Sequence, residues 1–173
     1  TETGVTVMRM DEGMDTGDIL DSVTTEIGDE ETAEELFERL AVISADLMVD
    51  TLKKLQNGEI TPTPQNQNEA TYAPIIKKEM AKLDFTKTAA DIHNAVRGYY
   101  SWPCAFFMLN GKRIKVLSAK LGDKTTKNSG TVIANGEELV IACGDNTSIR
   151  LLSVQPEGSK PMTSKQMLCG NKI

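Results

Sequence analysis

Four acids stand within eight residues, Asp11-Glu12-Gly13-Met14-Asp15-Thr16-Gly17-Asp18. Carboxylates at that density do two kinds of chemistry: they exchange protons as general acids and bases, or they ligate a hard cation. The D-x-D-x-D-G spacing of a helix–loop–helix calcium site is absent, and no helical pattern flanks the segment, so it is not a calcium loop of that kind. Spacing alone favours an ordinary acidic hairpin loop over a proton-transfer loop. A second group is basic. Lys112, Arg113, Lys115 and Lys120 lie along one alternating apolar stretch, with Lys124 and Lys127 beyond it. On a strand, Arg113 and Lys115 share a face by period two. Such a strip tracks phosphates, or it is a solvated lysine face, and charge alone does not separate the two.

Other chemistries find no footing. Cys104, Cys143 and Cys169 are odd in number and form no C-x-x-C pair, and His93 is the single histidine. No metal site is expected from so few ligands, and the cysteines read as buried free thiols in a reducing compartment. His93 itself reads as an exposed or interface side chain. There is no G-x-G-x-x-G, no G-x-x-x-x-G-K-[ST] and no nucleophile elbow, which leaves ATP, NAD and serine-hydrolase chemistry unsupported.

The elements that must position these groups are legible. Residues 4–10, GVTVMRM, alternate as a strand with one apolar face, the acidic loop follows, and residues 19–27 resume an extended pattern. Thr32 with Glu35 three residues on forms a capping box that opens a long helix. Leu36, Leu40, Ile43, Leu47 and Leu55 make its apolar stripe, Phe37, Met48 and Leu52 widen it, and Gly58 stops it. Residues 61–85 carry Pro62, Pro64 and Pro74 in polar company and read as an extended linker, with residues 61–70 as the expected first site of proteolysis. A short helix over 88–97 is capped by Thr86 or Thr88. Asn110-Gly111 and Asn135-Gly136 are two-residue hairpin turns, and five short strands after residue 103 suggest a small barrel, with a closing helix near 163–168. Trp102 and Phe106 read as core.

The chain has 173 residues, 39% hydrophobic and 25% charged, with a net charge of −6. That fits one domain or two small ones and excludes a disordered chain; no apolar run of bilayer length occurs, so no membrane partner is expected. The net charge hides a division. Residues 1–85 hold 7 Lys+Arg and 19 Asp+Glu, a balance of −12; residues 86–173 hold 12 and 6, a balance of +6. Opposite signs in two halves suggest two domains with different tasks, the basic one suited to a phosphate backbone. The chain begins at Thr1 without a basic-then-apolar leader, and the expectation is that an upstream part has been removed.

Residues 4–20, GVTVMRMDEGMDTGDIL, resemble the folate-site segment of the methionyl-tRNA formyltransferase family. The resemblance continues through residues 29–41, 70–89 (ATYAPIIKKEMAKLDFTKTA) and 97–116 (RGYYSWPCAFFMLNGKRIKV), covering nearly the whole chain. It implies an α/β remnant of a Rossmann-like formyltransferase domain over 1–60, a linker over 61–85, and a mostly-β, OB-like C-terminal domain over 86–173. It implies transfer of the formyl group of 10-formyltetrahydrofolate to the amine of initiator methionyl-tRNA, in the cytoplasm, by a monomer without a metal. The family's catalytic aspartate falls on Asp15, its folate would rest on the loop from Met10 through Asp11, Glu12 and Gly13 to Met14, and its tRNA would meet Lys112, Arg113, Lys115 and Lys120. The family's Asn-x-His motif and its Ser-Leu-Leu-Pro stretch do not occur here, so this chain by itself is expected to be inactive. The end Asn171-Lys172-Ile173 also stops where a final strand would continue. Two rivals are an amino-sugar-nucleotide formyltransferase and a non-catalytic RNA-binding module; the +6 half suits a long polyanion better than a small nucleotide.

Overall fold

The computed structural model describes residues 2–134 and 137–170. The expected turn at Asn135-Gly136 and the terminal Asn171-Lys172-Ile173 lie outside the described residues. The chain divides into two units, Thr1–Ile75 and Ile76–Ile173.

The first unit is a hairpin and a helix. Strands β1 (Glu2–Met8) and β2 (Ile19–Glu26) pair antiparallel, with Val5 opposite Val23 and Val7 opposite Asp21. A register shift between Val7 and Met8 bends β1 as it enters the acidic loop. Helix α1 (Ala33–Gln56) starts where the capping box predicts: Glu35 N–H donates to Thr32 Oγ1 at 3.3 Å, and Thr32 N–H donates to Glu35 Oε2 at 2.9 Å. Leu36, Leu40, Ile43 and Leu47 are half-buried, as their spacing requires, but Phe37 is 76% exposed and Met48, Leu52 and Leu55 are exposed with it. Polar clamps fix the helix to β2 at both ends. Arg39 donates to Glu31 Oε1 at 2.8 Å, to Thr25 Oγ1 at 2.5 Å and to Glu26 O at 2.7 Å. Lys54 Nζ donates to Asp21 Oδ2 at 2.7 Å, and this bond, with a second from Ser22 N–H, holds the Asp21 carboxyl below its usual range.

The expected linker has two characters. Thr63 exchanges two backbone hydrogen bonds with Ile19, at 2.8 and 2.9 Å, so its beginning is tied to β2. Its end belongs to the second unit, where Ala81 and Leu83 are buried and Leu83 N–H donates to Phe106 O at 2.8 Å.

The second unit is a curled antiparallel sheet with a helix packed on it. Strands β3 (Phe106–Leu109), β4 (Lys112–Leu121), β5 (Val132–Ala134), β6 (Leu139–Ala142), β7 (Ser148–Pro156) and β8 (Met162–Thr163) run in the order β3-β4-β7-β6-β5, with β8 pairing β7. Two register shifts in β4, around Ser118, curl the sheet. The Asn110-Gly111 turn has both residues at positive φ, 49° and 76°, the conformation that a two-residue hairpin demands and that Asn-Gly tolerates. Helix α2 (Ala89–Gly98) is capped by Thr88 with Asp91 and buries Ala89, Ile92 and Val96 against Ile114, Val116, Ile149, Leu151 and Val154. Helix α3 (Ser164–Gly170) adds Met167.

Three further side chains differ from expectation. Cys169 is exposed, not buried like Cys104 and Cys143, because it lies on the outward side of the short closing helix. His93 is buried, because it follows Ile92 on the inward side of α2. Trp102 is 58% exposed, whereas Phe106 is buried as expected; Phe107 is buried as well and the half-buried Phe85 packs on it edge to face, at 5.6 Å between ring centroids. No described helix is long and apolar enough to cross a membrane.

Between the two units, residues 71–77 are exposed and without regular structure, whereas residues 61–70 are partly held by the Thr63 bridge and a 3-10 turn over Gln67–Glu69. Limited digestion with a broad-specificity protease such as proteinase K is therefore expected to cut first within residues 71–77, releasing two fragments that divide near Ile75. First cleavage within residues 61–70, seen by mass spectrometry, would contradict this.

Candidate functional site

The acidic loop is closed by backbone before any side chain acts. Arg9 N–H donates to Asp18 O at 2.9 Å, and the same two residues form an ion pair at 3.1 Å between Nη2 and Oδ2. Gly17 is buried at this neck, and a Cβ there would collide with the Arg9 carbonyl. Only glycine admits so close an approach of two backbones. Inside the loop Asp11 Oδ1 accepts from Gly13 N–H at 3.0 Å and from Thr16 Oγ1 at 2.6 Å. This ring makes Asp11 a structural acid.

Asp15 is treated differently. It is exposed and sits at φ 57°, a left-handed conformation that aspartate tolerates better than most residues. With Met14, Thr16 and Ile19 it forms one wall of a cavity of about 720 Å³. The opposite wall is Pro64 to Gln67 and Glu69 to Ala73. Gln65 joins the two walls: its Nε2 donates to Gly17 O at 2.7 Å and to Asp15 O at 2.9 Å. Of the loop residues singled out in the sequence, Met14 and Asp15 face the cavity, while Met10, Asp11, Glu12 and Gly13 do not line it. Met10 is nevertheless 86% exposed. The second wall was missed, because an amide-rich, proline-bearing stretch has the composition of a linker.

The basic residues also separate. Arg113 and Lys115 line one shallow groove of about 200 Å³ with Gln155, Pro156, Glu157 and Gly158. The Arg113 guanidinium lies 4.2 Å from the Phe106 ring centroid, a stacking contact that orients its planar donors. Lys112 stands at the hairpin tip opposite Leu109, and Lys120 pairs in register with Arg150 toward the far end of β4. There Arg150 meets Glu138 at 3.4 Å and Asp123 at 3.9 Å, so the local field near Lys120 is mixed. The period-two argument thus holds for the pair it was made for, and the four cations do not form one patch.

The cysteines carry no chemistry that the geometry supports. Cys104 and Cys143 are buried, and burial pushes the Cys143 thiol up to about 11, away from thiolate. Among the described residues no cluster of His, Cys, Asp and Glu is placed to hold a metal ion.

Comparison with known proteins bears on the whole chain. The family model for the formyl transferase C-terminal domain matches residues 75–172, and that for formyl transferase matches residues 1–52. The methionyl-tRNA formyltransferase of Thermodesulfovibrio yellowstonii is 42% identical over 171 residues, 99% of this chain and 54% of that protein. The chain thus spans about half the length of the curated relatives it matches. Among solved structures, a methionyl-tRNA formyltransferase from Clostridium thermocellum is similar at 26% identity and a TM-score of 0.53, over 83% of this chain and 57% of that one. The N-formyltransferase from Helicobacter canadensis, solved with folinic acid and dTDP-3-aminofucose, shares the fold at 24% identity and a TM-score of 0.70, over 87% of this chain and 55% of that one.

The neck of the loop offers a direct test. Gly17→Ala is expected to destabilise the first unit by about 1–3 kcal/mol through the forced shift of backbone at Arg9. Native-state hydrogen exchange should show β1 and β2 amides opening earlier while those of β4 and β7 are unchanged; equal protection of β1 and β2 in the two proteins would contradict the close-approach argument.

Proposed function

The chain belongs to the formyl transferase family, and from that premise we propose that it works as the second part of a methionyl-tRNA formyltransferase. The reaction is transfer of the formyl group of 10-formyltetrahydrofolate to the amine of initiator methionyl-tRNA, at the start of protein synthesis in the cytoplasm. The observation that carries the reading is Asp15: an exposed carboxylate, held at an unusual backbone conformation, on the wall of a cavity large enough for a substrate end. The relative at 42% identity over 99% of the chain supports the methionyl-tRNA acceptor.

In this reading β1, β2 and α1 are the end of a Rossmann-like catalytic domain, and the second unit is an OB-like domain on the tRNA side. Its bulged, small antiparallel sheet supports that architecture. The reactive amine must lose a proton as the tetrahedral intermediate forms and breaks. Asp15 would take or orient that proton, acting with the asparagine and histidine that the family supplies from outside these residues. The folate would lie against the backbone of residues 10–14, whose conformation the Asp11 ring fixes. Folinic acid in the Helicobacter canadensis enzyme supports a folate donor. Of the basic residues, Arg113 and Lys115 have the best geometry for a phosphate, since they share one groove and Arg113 presents oriented donors. Lys112 and Lys120 would extend that contact along the backbone.

Asp15→Ala in the full-length enzyme is expected to lower kcat by at least a hundredfold with tRNA affinity retained. Turnover within a few-fold of the parent would sink the assignment. For the second unit, tRNA affinity should fall steeply between 50 and 200 mM salt, and Arg113→Ala with Lys115→Ala should reduce the slope of log K against log salt by about 1–2. A slope unchanged by the double substitution, measured by filter binding, would remove both residues from the contact.

A further inference from the structure

We propose that Gln65 is a positioning residue: its side-chain amide sets the orientation of Asp15 for proton transfer. The proposal rests on the reading of Asp15 given above and adds to it a residue fifty positions away in the chain.

The geometry is specific. Nε2 of Gln65 lies 2.7 Å from the Gly17 carbonyl and 2.9 Å from the Asp15 carbonyl, with Met8 Sδ at 3.9 Å. All three partners are acceptors, so the amide nitrogen and not the oxygen must face them. Its two N–H groups then hold the Asp15–Thr16 and Gly17–Asp18 peptide units. Fixing the Asp15 carbonyl fixes the rotation of the chain just after its Cα, and with it the direction in which the carboxylate leaves the loop. A left-handed residue with a side chain needs such an external tie, because its local preference is for other conformations.

Gln65 is itself anchored. Thr63, two residues earlier, is bonded to Ile19 by a pair of backbone hydrogen bonds, and the Gln65 side chain is half-buried against the loop. The rest of the loop does not depend on it. The Arg9–Asp18 neck and the Asp11 ring with Gly13 and Thr16 are closed by other atoms. Loss of the amide therefore leaves a closed loop in which the peptide carrying Asp15 is free to rotate. Displacement of a reacting group by about an ångström is enough to cost roughly a hundredfold in rate. The expected signature is a fall in kcat with binding preserved.

The test uses Gln65→Glu, which keeps the shape and removes both donors, and Gln65→Ala, made in the full-length enzyme alone and together with Asp15→Ala. Gln65→Glu is expected to lower kcat for methionyl-tRNA formylation about 10- to 100-fold. KM for 10-formyltetrahydrofolate and for tRNA should stay within about twofold, and so should the exchange protection of β1 and β2 amides. In the Asp15→Ala background neither Gln65 substitution should lower kcat further, because the residue acts through Asp15. If Gln65→Glu keeps kcat within twofold while Asp15→Ala loses it, the positioning role is wrong and the catalytic reading stands. An equal additional loss in the Asp15→Ala background, or a loss only in KM, likewise overturns the proposal. Undiminished kcat in Asp15→Ala overturns the catalytic reading and this inference with it.

Discussion

Everything around the acidic loop depends on two backbones passing within touching distance at Arg9 and Gly17. A hairpin can close a ten-residue loop in many ways, most of them open and mobile. Here the missing Cβ of Gly17 lets Arg9 N–H reach the Asp18 carbonyl, so β1 and β2 are joined at the neck, and the eight residues beyond it become a small closed ring. A ring of that size has little freedom left. Asp11 removes part of what remains by bonding to Gly13 and Thr16, and Gln65 removes the rest at Asp15 by bonding to the Asp15 and Gly17 carbonyls. The order of dependence runs from backbone approach, to side-chain ring, to the one exposed carboxylate on the cavity wall.

The two units hold their shapes by different means. The second buries Leu139, Ile141, Ile149, Leu151 and Val154 almost completely, and its sheet and α2 share one apolar core. In the first, Val7 and Thr51 are the buried side chains among the described residues, and the hairpin meets α1 through polar clamps, Arg39 at one end and Lys54 at the other. Exposed ion pairs are weak individually, but Arg39 reaches three acceptors at once, and geometry of that kind is more than a single pair. The site in the first unit therefore rests on directional bonds more than on packing, and its precision follows from those bonds being local to the loop.

What could be read from the sequence was what is decided locally. Thr32 and Glu35 satisfy each other's backbone within one turn, so α1 begins where the spacing says. Asn110-Gly111 supplies two residues that accept positive φ, and the hairpin follows from that alone. The acidic loop was legible as a segment, since strand, acids and glycines are contiguous. The roles of its acids were not, because Asp11 and Asp15 differ only in what the folded loop brings to them. Gln65 was invisible for a sharper reason: an amide in a polar, proline-rich stretch has no pattern, and its partners are backbone carbonyls 48 and 50 residues earlier. His93 and Trp102 went the other way, one buried and one exposed, because a short helix's inward face and a turn's packing are set by the sheet they meet.

The charge division acquires a physical meaning from these contacts. A net charge of −6 would repel any polyanion if the whole charge acted at one distance. It does not, because at physiological salt exposed charges are screened beyond about 8 Å. Over that range Arg113 and Lys115 act on whatever enters their groove with Glu157 as the acid beside them, while the mixed field of Arg150, Asp123 and Glu138 surrounds Lys120. The acids of the first unit are partly answered on the spot, Asp18 by Arg9, Glu31 by Arg39 and Asp21 by Lys54. Asp15 makes no such pair among the described residues. Its carboxylate is thus an exposed charge on the cavity wall that is not taken up by an ion pair of that kind, in contrast to Asp18 at the neck.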